Sequence, residues 1–275
     1  MSKIKMIVTD MDYTLLDSKK NISSGNREAL EAAAKKGVHI VLATGRIFAS
    51  ARYYAKLLNV ETPIIASNGA IIMESDASKI YYEKPIPLSA GIKMIELCRE
   101  RGLYCHLFAK DTIYSEKIIN ISKRYSNWNQ NLLENDKVKL VTTDNLEELM
   151  RIESNNILKA VVVDKDAHLL SEVRELIYST GLVTVSQSLS DNIEIMHKEV
   201  DKGRAVAFIA NMYGLKPEEI MAIGDNENDI SMIKFAGIGV AVSNAEACLK
   251  THADYIAPDY ESDGVAVAIK EFVLA

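Results

Sequence analysis

Four short stretches of this chain combine residue types that could do chemistry together. Asp10 and Asp12 stand two apart, after the apolar run Met6–Val8. In extended backbone that spacing points both side chains to the same side. Two adjacent carboxylates repel unless a proton or a cation lies between them. A hard divalent cation such as Mg2+ suits a site made only of oxygens. A second acidic stretch, Gly224-Asp225-Asn226-Glu227-Asn228-Asp229, follows another apolar run. By itself it also reads as acids gathered at a helix start, where the dipole favours them. Thr44-Gly45-Arg46 offers a hydroxyl and backbone N–H groups where a helix begins, a cradle for phosphate oxygens. Thr-Gly turns are common, so this stretch is weak when taken alone. Lys202 opens a further helix, where its charge opposes the dipole, which hints that its ammonium serves something else.

These residues need a frame that brings distant segments together, and the apolar patterning supplies one. A strand is expected over Ile4–Val8. Ser23 or Ser24 caps a helix running to Lys36, with Gly37 as its stop. Val38–Ala43 is the next strand, Phe48–Leu58 a helix, and Ile64–Ala66 a third strand ending in Ser67-Asn68-Gly69. Strand and helix alternate at the spacing of βαβ units, which implies a parallel sheet with right-handed crossovers. The same rhythm returns after Lys198, with helices over Gly203–Met212, 227–235, 245–251 and 264–274. Strands Ile220–Ile223, Gly237–Val242 and Tyr255–Ala257 alternate with them. All four stretches then fall at strand ends or helix starts, where open α/β sheets bind ligands.

Between the two βαβ blocks the pattern differs. Ala70–Met73 and Ile80–Glu83 flank a polar stretch and read as a hairpin. Beyond Pro85 and Pro87 come alternating short strands and helices, with Asn127–Asn135, which contains Trp128, read as a loop. The expected organisation is a parallel-sheet domain, 1–83 plus 198–275, interrupted by an α+β domain at 84–197.

Composition narrows the function classes. Of 275 residues, 48% are hydrophobic and 25% charged, so there is ample apolar surface for a packed core. The formal charge is −6 and there is no Lys/Arg block, which argues against a nucleic-acid partner. An anionic substrate would therefore need local positive charge or a metal. The three cysteines, Cys98, Cys105 and Cys248, form no disulfide or zinc pattern and fit a reducing compartment. The first apolar run is too short for a signal peptide, and no run approaches the ~18–20 residues of a membrane span. A soluble cytoplasmic protein is expected; its oligomeric state is not legible.

Taken in order, the four stretches resemble the motifs of haloacid dehalogenase-like hydrolases: Asp10-x-Asp12-x-Thr14-Leu15-Leu16, Thr44-Gly45-Arg46, Lys202-Gly203, and Gly224-Asp225-x-x-Asn228-Asp229. The large insert and Ser67-Asn68-Gly69-Ala70 resemble the Cof-type sugar-phosphatase branch. Tyr13 departs from that branch, which usually has glycine there. The resemblance implies an α/β fold, a Rossmann-like core with an inserted α+β cap, and a Mg2+-dependent phosphatase for small phosphorylated metabolites, sugar phosphates first. It implies Asp10 as the nucleophile that forms an aspartyl-phosphate and Asp12 as the general acid and base. Mg2+ would be held by Asp10, the Asp12 carbonyl and Asp225, with Asp229 behind them orienting metal-bound water. Thr44, Gly45, Lys202 and Asn228 would bind the phosphoryl oxygens. Tyr13, Arg46 and Asn68 are candidate substrate contacts. Two other activities fit the same scaffold: a phosphomutase, and a phosphate-ligand sensor without turnover.

Overall fold

The computed structural model describes residues 3–275. In chain order, β1 (Met6–Thr9), α1 (Ser24–Lys35), β2 (His39–Leu42), α2 (Phe48–Leu57), β3 (Ile64–Ala66), β4 (Ile71–Met73) and β5 (Ile80–Glu83) come first. They are followed by α3 (Leu88–Glu100), β6 (Tyr104–Phe108), β7 (Thr112–Ser115), α4 (Asn120–Asn129), β8 (Lys139–Thr142), α5 (Leu146–Ile152), β9 (Lys159–Val163), α6 (Ala167–Tyr178), β10 (Val183–Ser186) and β11 (Asn192–His197). The chain closes with α7 (Lys202–Met212), β12 (Ile220–Gly224), α8 (Ile230–Phe235), β13 (Ile238–Val242), α9 (Ala247–Lys250), β14 (Tyr255–Ala257) and α10 (Gly264–Ile269). Two compact units result. The first comprises the segment ending at Gly45 together with Tyr54–Tyr81 and Asp201–Ala275; the second comprises Arg46–Tyr53 and Tyr82–Val200.

The first unit is built on a five-stranded sheet of order β14-β13-β12-β1-β2, parallel throughout. Its central strands β1 and β12 are buried along their whole length, which is why both read as unbroken apolar runs. Helix α1 begins where Ser23 accepts a hydrogen bond from the Asn26 N–H, a side-chain cap for an otherwise unpaired donor. From β1 the chain steps to β2 on one side, and the later strands β12, β13 and β14 build out on the other. β1 is therefore the point where the strand order reverses, and the carboxyl ends of β1 and β12 border the crevice that such a reversal opens.

Two expectations from the sequence need correction. Ile64–Ala66 is a strand, but it is not a full member of the parallel sheet. Only the bridge between Ala43 and Ile65 joins it to β2, and its ladder runs antiparallel to β4 in a separate three-stranded sheet, β3-β4-β5. The second correction concerns Asn127–Asn129, which the Asn-rich composition marked as loop but which complete α4. Trp128 packs edge-on against Tyr53 and Tyr125 within the second unit, and this ring packing overrides the poor helix propensity of asparagine.

The second unit carries a six-stranded sheet of order β10-β11-β9-β6-β7-β8, antiparallel except for β7 against β8. One face packs a core drawn from α3, α5 and α6, including Met94, Met150, Leu170 and Val173. The other buries Phe108, Ile113 and Val161 together with Ile47 and Ala49. Among the described residues no helix is long and apolar enough to cross a membrane.

Candidate active site

β1 ends at Thr9, so Asp10 is the first residue beyond the sheet, and its N–H still donates to the Ile223 carbonyl of β12 at 2.9 Å. That bond fixes Asp10 beside the end of β12, where Asp225 follows. Both carboxylates are buried, 5% and 6% exposed. Asp229 folds back from the start of the next helix to join them. Gly224 permits this: a Cβ there would lie 2.6 Å from the Asp229 Cβ. Ligand oxygens of Asp10, Asp225 and Asp229 all come within 4.8 Å of one another.

Lys202 is the only base paired with this cluster among the described residues. Its Nζ donates to Asp10 Oδ1 at 2.6 Å and to Asp229 Oδ1 at 2.5 Å, and the side chain is wholly buried. A lysine at the first position of α7 goes against the helix dipole. Two carboxylates and a capping Asp201, which accepts from the Arg204 N–H at 2.8 Å, offset that cost. Burial works to lower the Lys202 ammonium, but Asp10 and Asp229 outweigh it and hold it above its ordinary value. The carboxylates still outnumber the cation. Burial chiefly, and then the charge of Asp229, raise Asp10 to about 7 against the pull of Lys202. Burial, Asp10 and Asp229 drive Asp225 well above the carboxylate range.

The oxygens are not equivalent. Asp229 is engaged at both oxygens, with Oδ1 on Lys202 and Oδ2 accepting the N–H groups of Asp225 and Asn226 at 3.0 and 3.1 Å. Asp225 Oδ1 accepts from the Thr14 hydroxyl at 2.7 Å, and Asp10 Oδ1 from Lys202. No described residue donates to the second oxygen of Asp10 or of Asp225. A divalent cation fits this set: two hard oxygens, buried, side by side, in a cluster with surplus negative charge.

The other expected residues are placed as follows. Thr44 is buried and ties the end of β2 to the end of β3: its N–H donates to Ile65 and its carbonyl accepts from the Asn68 N–H. Gly45 follows it at the end of the first segment. Asn228 donates through Nδ2 to Asn68 Oδ1 at 3.1 Å. The Asp12 carboxylate is a third exposed and pairs with Lys20 at 2.9 Å, and its charge adds to those that raise Asp10. Tyr13 lies in left-handed backbone, φ 61°, its ring edge-on to Tyr260 and 4.1 Å from the Lys20 ammonium. Arg46 donates to Ser50 at 3.0 Å.

Three partnerships escaped the sequence reading: Thr14 on Asp225, Lys20 on Asp12, and Asn68 on Asn228. Thr14 carried a signal, since it stands two residues beyond Asp12 in the same motif. Asn68 stood in the Ser67-Asn68-Gly69-Ala70 stretch, but its partner, like that of Lys20, is set by loop closure.

Comparison with known proteins agrees with this picture. Residues 7–269 match the haloacid dehalogenase-like hydrolase family. Over 98% of this chain and 96% of the relative, the sequence is 31% identical to the 5-amino-6-(5-phospho-D-ribitylamino)uracil phosphatase YcsE of Bacillus subtilis. It is 27% identical to the pyridoxal phosphate phosphatase YbhA of Escherichia coli, over 95% and 96% of the two chains. A haloacid dehalogenase-like hydrolase from Bacteroides thetaiotaomicron superposes with a TM-score of 0.82 at 31% identity, covering 98% of this chain and 99% of its own. Strand-end motifs, a parallel sheet reversing at β1 and likeness over nearly the full length converge: the chain belongs to the haloacid dehalogenase-like hydrolases, in their Cof-type branch, and is a phosphatase with a Rossmann-like core and an inserted cap.

Proposed function

We propose that this enzyme hydrolyses small phosphorylated metabolites, sugar phosphates first, through an aspartyl-phosphate on Asp10, with Mg2+ as cofactor. The observation that carries the reading is the Lys202 bridge. It fixes the Asp10 carboxylate through Oδ1 and offsets part of its charge, so that the group is held in place for attack on an anionic phosphoryl group. Asp10, the Asp12 carbonyl and Asp225 would hold Mg2+, which supplies charge neutralisation between nucleophile and phosphoryl group. Asp229 would stand behind these ligands and orient metal-bound water, and it also holds Lys202 and the backbone at Asp225 and Asn226.

Thr44, Gly45, Lys202 and Asn228 bind the phosphoryl oxygens where charge develops. A carboxylate oxygen of Asp10 bonds to phosphorus as the bond to the leaving oxygen breaks, and Asp12 gives that oxygen its proton. The Asp12 carboxylate then takes a proton from water. That water bonds to phosphorus, the Asp10–phosphorus bond breaks, and inorganic phosphate leaves with Asp10 restored. The insert at 84–197 sets substrate choice, and the catalytic core is 1–83 with 198–275. The unpaired cysteines suit the cytoplasm.

Phosphate release from a panel of phosphorylated metabolites, with Mg2+ and with excess EDTA, tests the proposal. Turnover is expected only with the metal. Asp10→Asn is expected to be inactive and folded, and Asp12→Asn to lose ~10²–10⁴-fold, the scale of a general acid–base group. Full activity in EDTA, or substantial activity in Asp10→Asn, overturns it.

A further inference from the structure

The turn Ser67–Asn68–Gly69, which ends β3, is built in a way that folding alone does not require. Its residues lie one after another in left-handed backbone, φ 49°, 59° and 98°, and only the last is glycine. A side chain with a Cβ disfavours that region, and such conformations persist where the surroundings hold them for a purpose. All three residues are buried, and the Ser67 hydroxyl has no hydrogen-bond partner among the described residues.

Three segments of the proposed phosphate site meet at this turn. The Asn68 N–H donates to the Thr44 carbonyl at 3.0 Å. A Cβ on Gly69 would lie 2.6 Å from the Asp201 carbonyl, so only glycine lets the turn press against the start of α7, one residue ahead of Lys202. The Asn68 side-chain oxygen accepts from Asn228 Nδ2 at 3.1 Å, across 160 residues of sequence. Extended backbone would alternate side chains across the strand. The left-handed turn breaks that alternation and brings the Asn68 carboxamide to Asn228.

We propose that Asn68 is a positioning residue that acts through Asn228. Its oxygen holds one hydrogen of the Asn228 amide, so the other is presented to a phosphoryl oxygen. The inference rests on the phosphatase reading above for the identity of the anion. An untethered terminal amide turns about a broad torsion; tethering it fixes the donor before the ligand arrives, which is where pre-organisation gains affinity.

Asn68→Gly isolates the effect, because glycine accepts φ near 60° while removing the oxygen. Calorimetric binding of inorganic phosphate in saturating Mg2+ is the readout, with p-nitrophenyl phosphate kinetics beside it. We expect Kd for phosphate to rise about tenfold, the scale of one well-placed hydrogen bond, with KM rising more than kcat falls and Tm unchanged or higher. In the Asn228→Ala background, Asn68→Gly should add nothing further, the signature of one residue acting through another. Unchanged phosphate affinity in Asn68→Gly, or losses that multiply in the double variant, overturn the positioning role. If wild-type protein hydrolyses p-nitrophenyl phosphate but Asn68→Gly binds phosphate normally, the phosphatase reading stands and this inference falls. If phosphate binding shows the coupling while the wild type has no turnover, the reverse holds.

Discussion

Position 13 is an unusual place for tyrosine, and its backbone angle says why. A φ of 61° favours glycine, the residue that the family resemblance leads one to expect there. The ring compensates by packing against Tyr260 and Lys20, while Asn244 donates to the Tyr13 carbonyl at 2.9 Å. Tyr13→Gly therefore exchanges relief of the left-handed backbone for lost ring contacts. The expected change in stability is small, within about 1 kcal/mol. The contacts of Tyr13 with Tyr260, Lys20 and Asn244 lie outside the Asp10, Asp225 and Lys202 cluster. The substitution should shift KM and substrate ranking while kcat on p-nitrophenyl phosphate stays nearly constant, as for an interaction equal in ground and transition states. Steady-state kinetics on both kinds of substrate decide it. A fall in kcat comparable to that of Asp12→Asn would put Tyr13 among the catalytic groups.

At the scale of elements, the pairing of β1 with β12 has an electrostatic consequence. It sets Asp10 and Asp225 side by side in a buried place, and both carboxyls are raised there. A carboxyl whose folded value lies above its unfolded value contributes full stability below the unfolded value, and that contribution fades as pH climbs through the folded one. For Asp10 the window runs from about 4 to about 7, so metal-free protein should lose stability across it. A metal ion takes only the deprotonated carboxylates. The rise in Tm on adding Mg2+ should accordingly be small near pH 5 and large near pH 8. In EDTA, Asp10→Asn should show a shallower fall of Tm with pH than the wild type. Differential scanning calorimetry across that range tests both, and an Mg2+-induced rise equal at the two ends would contradict the linkage.

For the whole molecule, the insert decides substrate choice in the proposed scheme. Excising 84–197 would strip Ile47 and Ala49 of the Phe108, Ile113 and Val161 side chains they pack with, so deletion confounds folding with specificity. Exchange of the insert for that of a relative with a different substrate is the better trial. The ranking of metabolites should follow the donor of the insert, while p-nitrophenyl phosphate hydrolysis should stay within about threefold, since the insert and not the chemistry at Asp10 has been altered. A ranking that stays with the core would reject the role assigned to the insert.

Much of this protein was legible in its residues because the relevant forces are local. Apolar runs broken by Asp10, Thr44 and Gly224-Asp225 mark where buried strands meet a polar crevice, and Ser23 announces a helix start through its own backbone bond. Local rules failed where partners come from elsewhere in the chain. Asn127–Asn129 are helical because Trp128 is held by Tyr53 and Tyr125. β3 carries its ladder with β4 and meets the end of β2 only through the Ala43–Ile65 bridge, a pairing that depends on the distant β4 segment. The sequence by itself determined which residues could do chemistry and that they would stand at strand ends, since polarity and backbone preference are written residue by residue. Only the tertiary structure decided which oxygen each donor takes: Lys202 reaches Asp10 across 192 residues and Thr14 reaches Asp225 across 211. Those pairings follow from the strand order, which is a property of how the whole core packs and of no single segment.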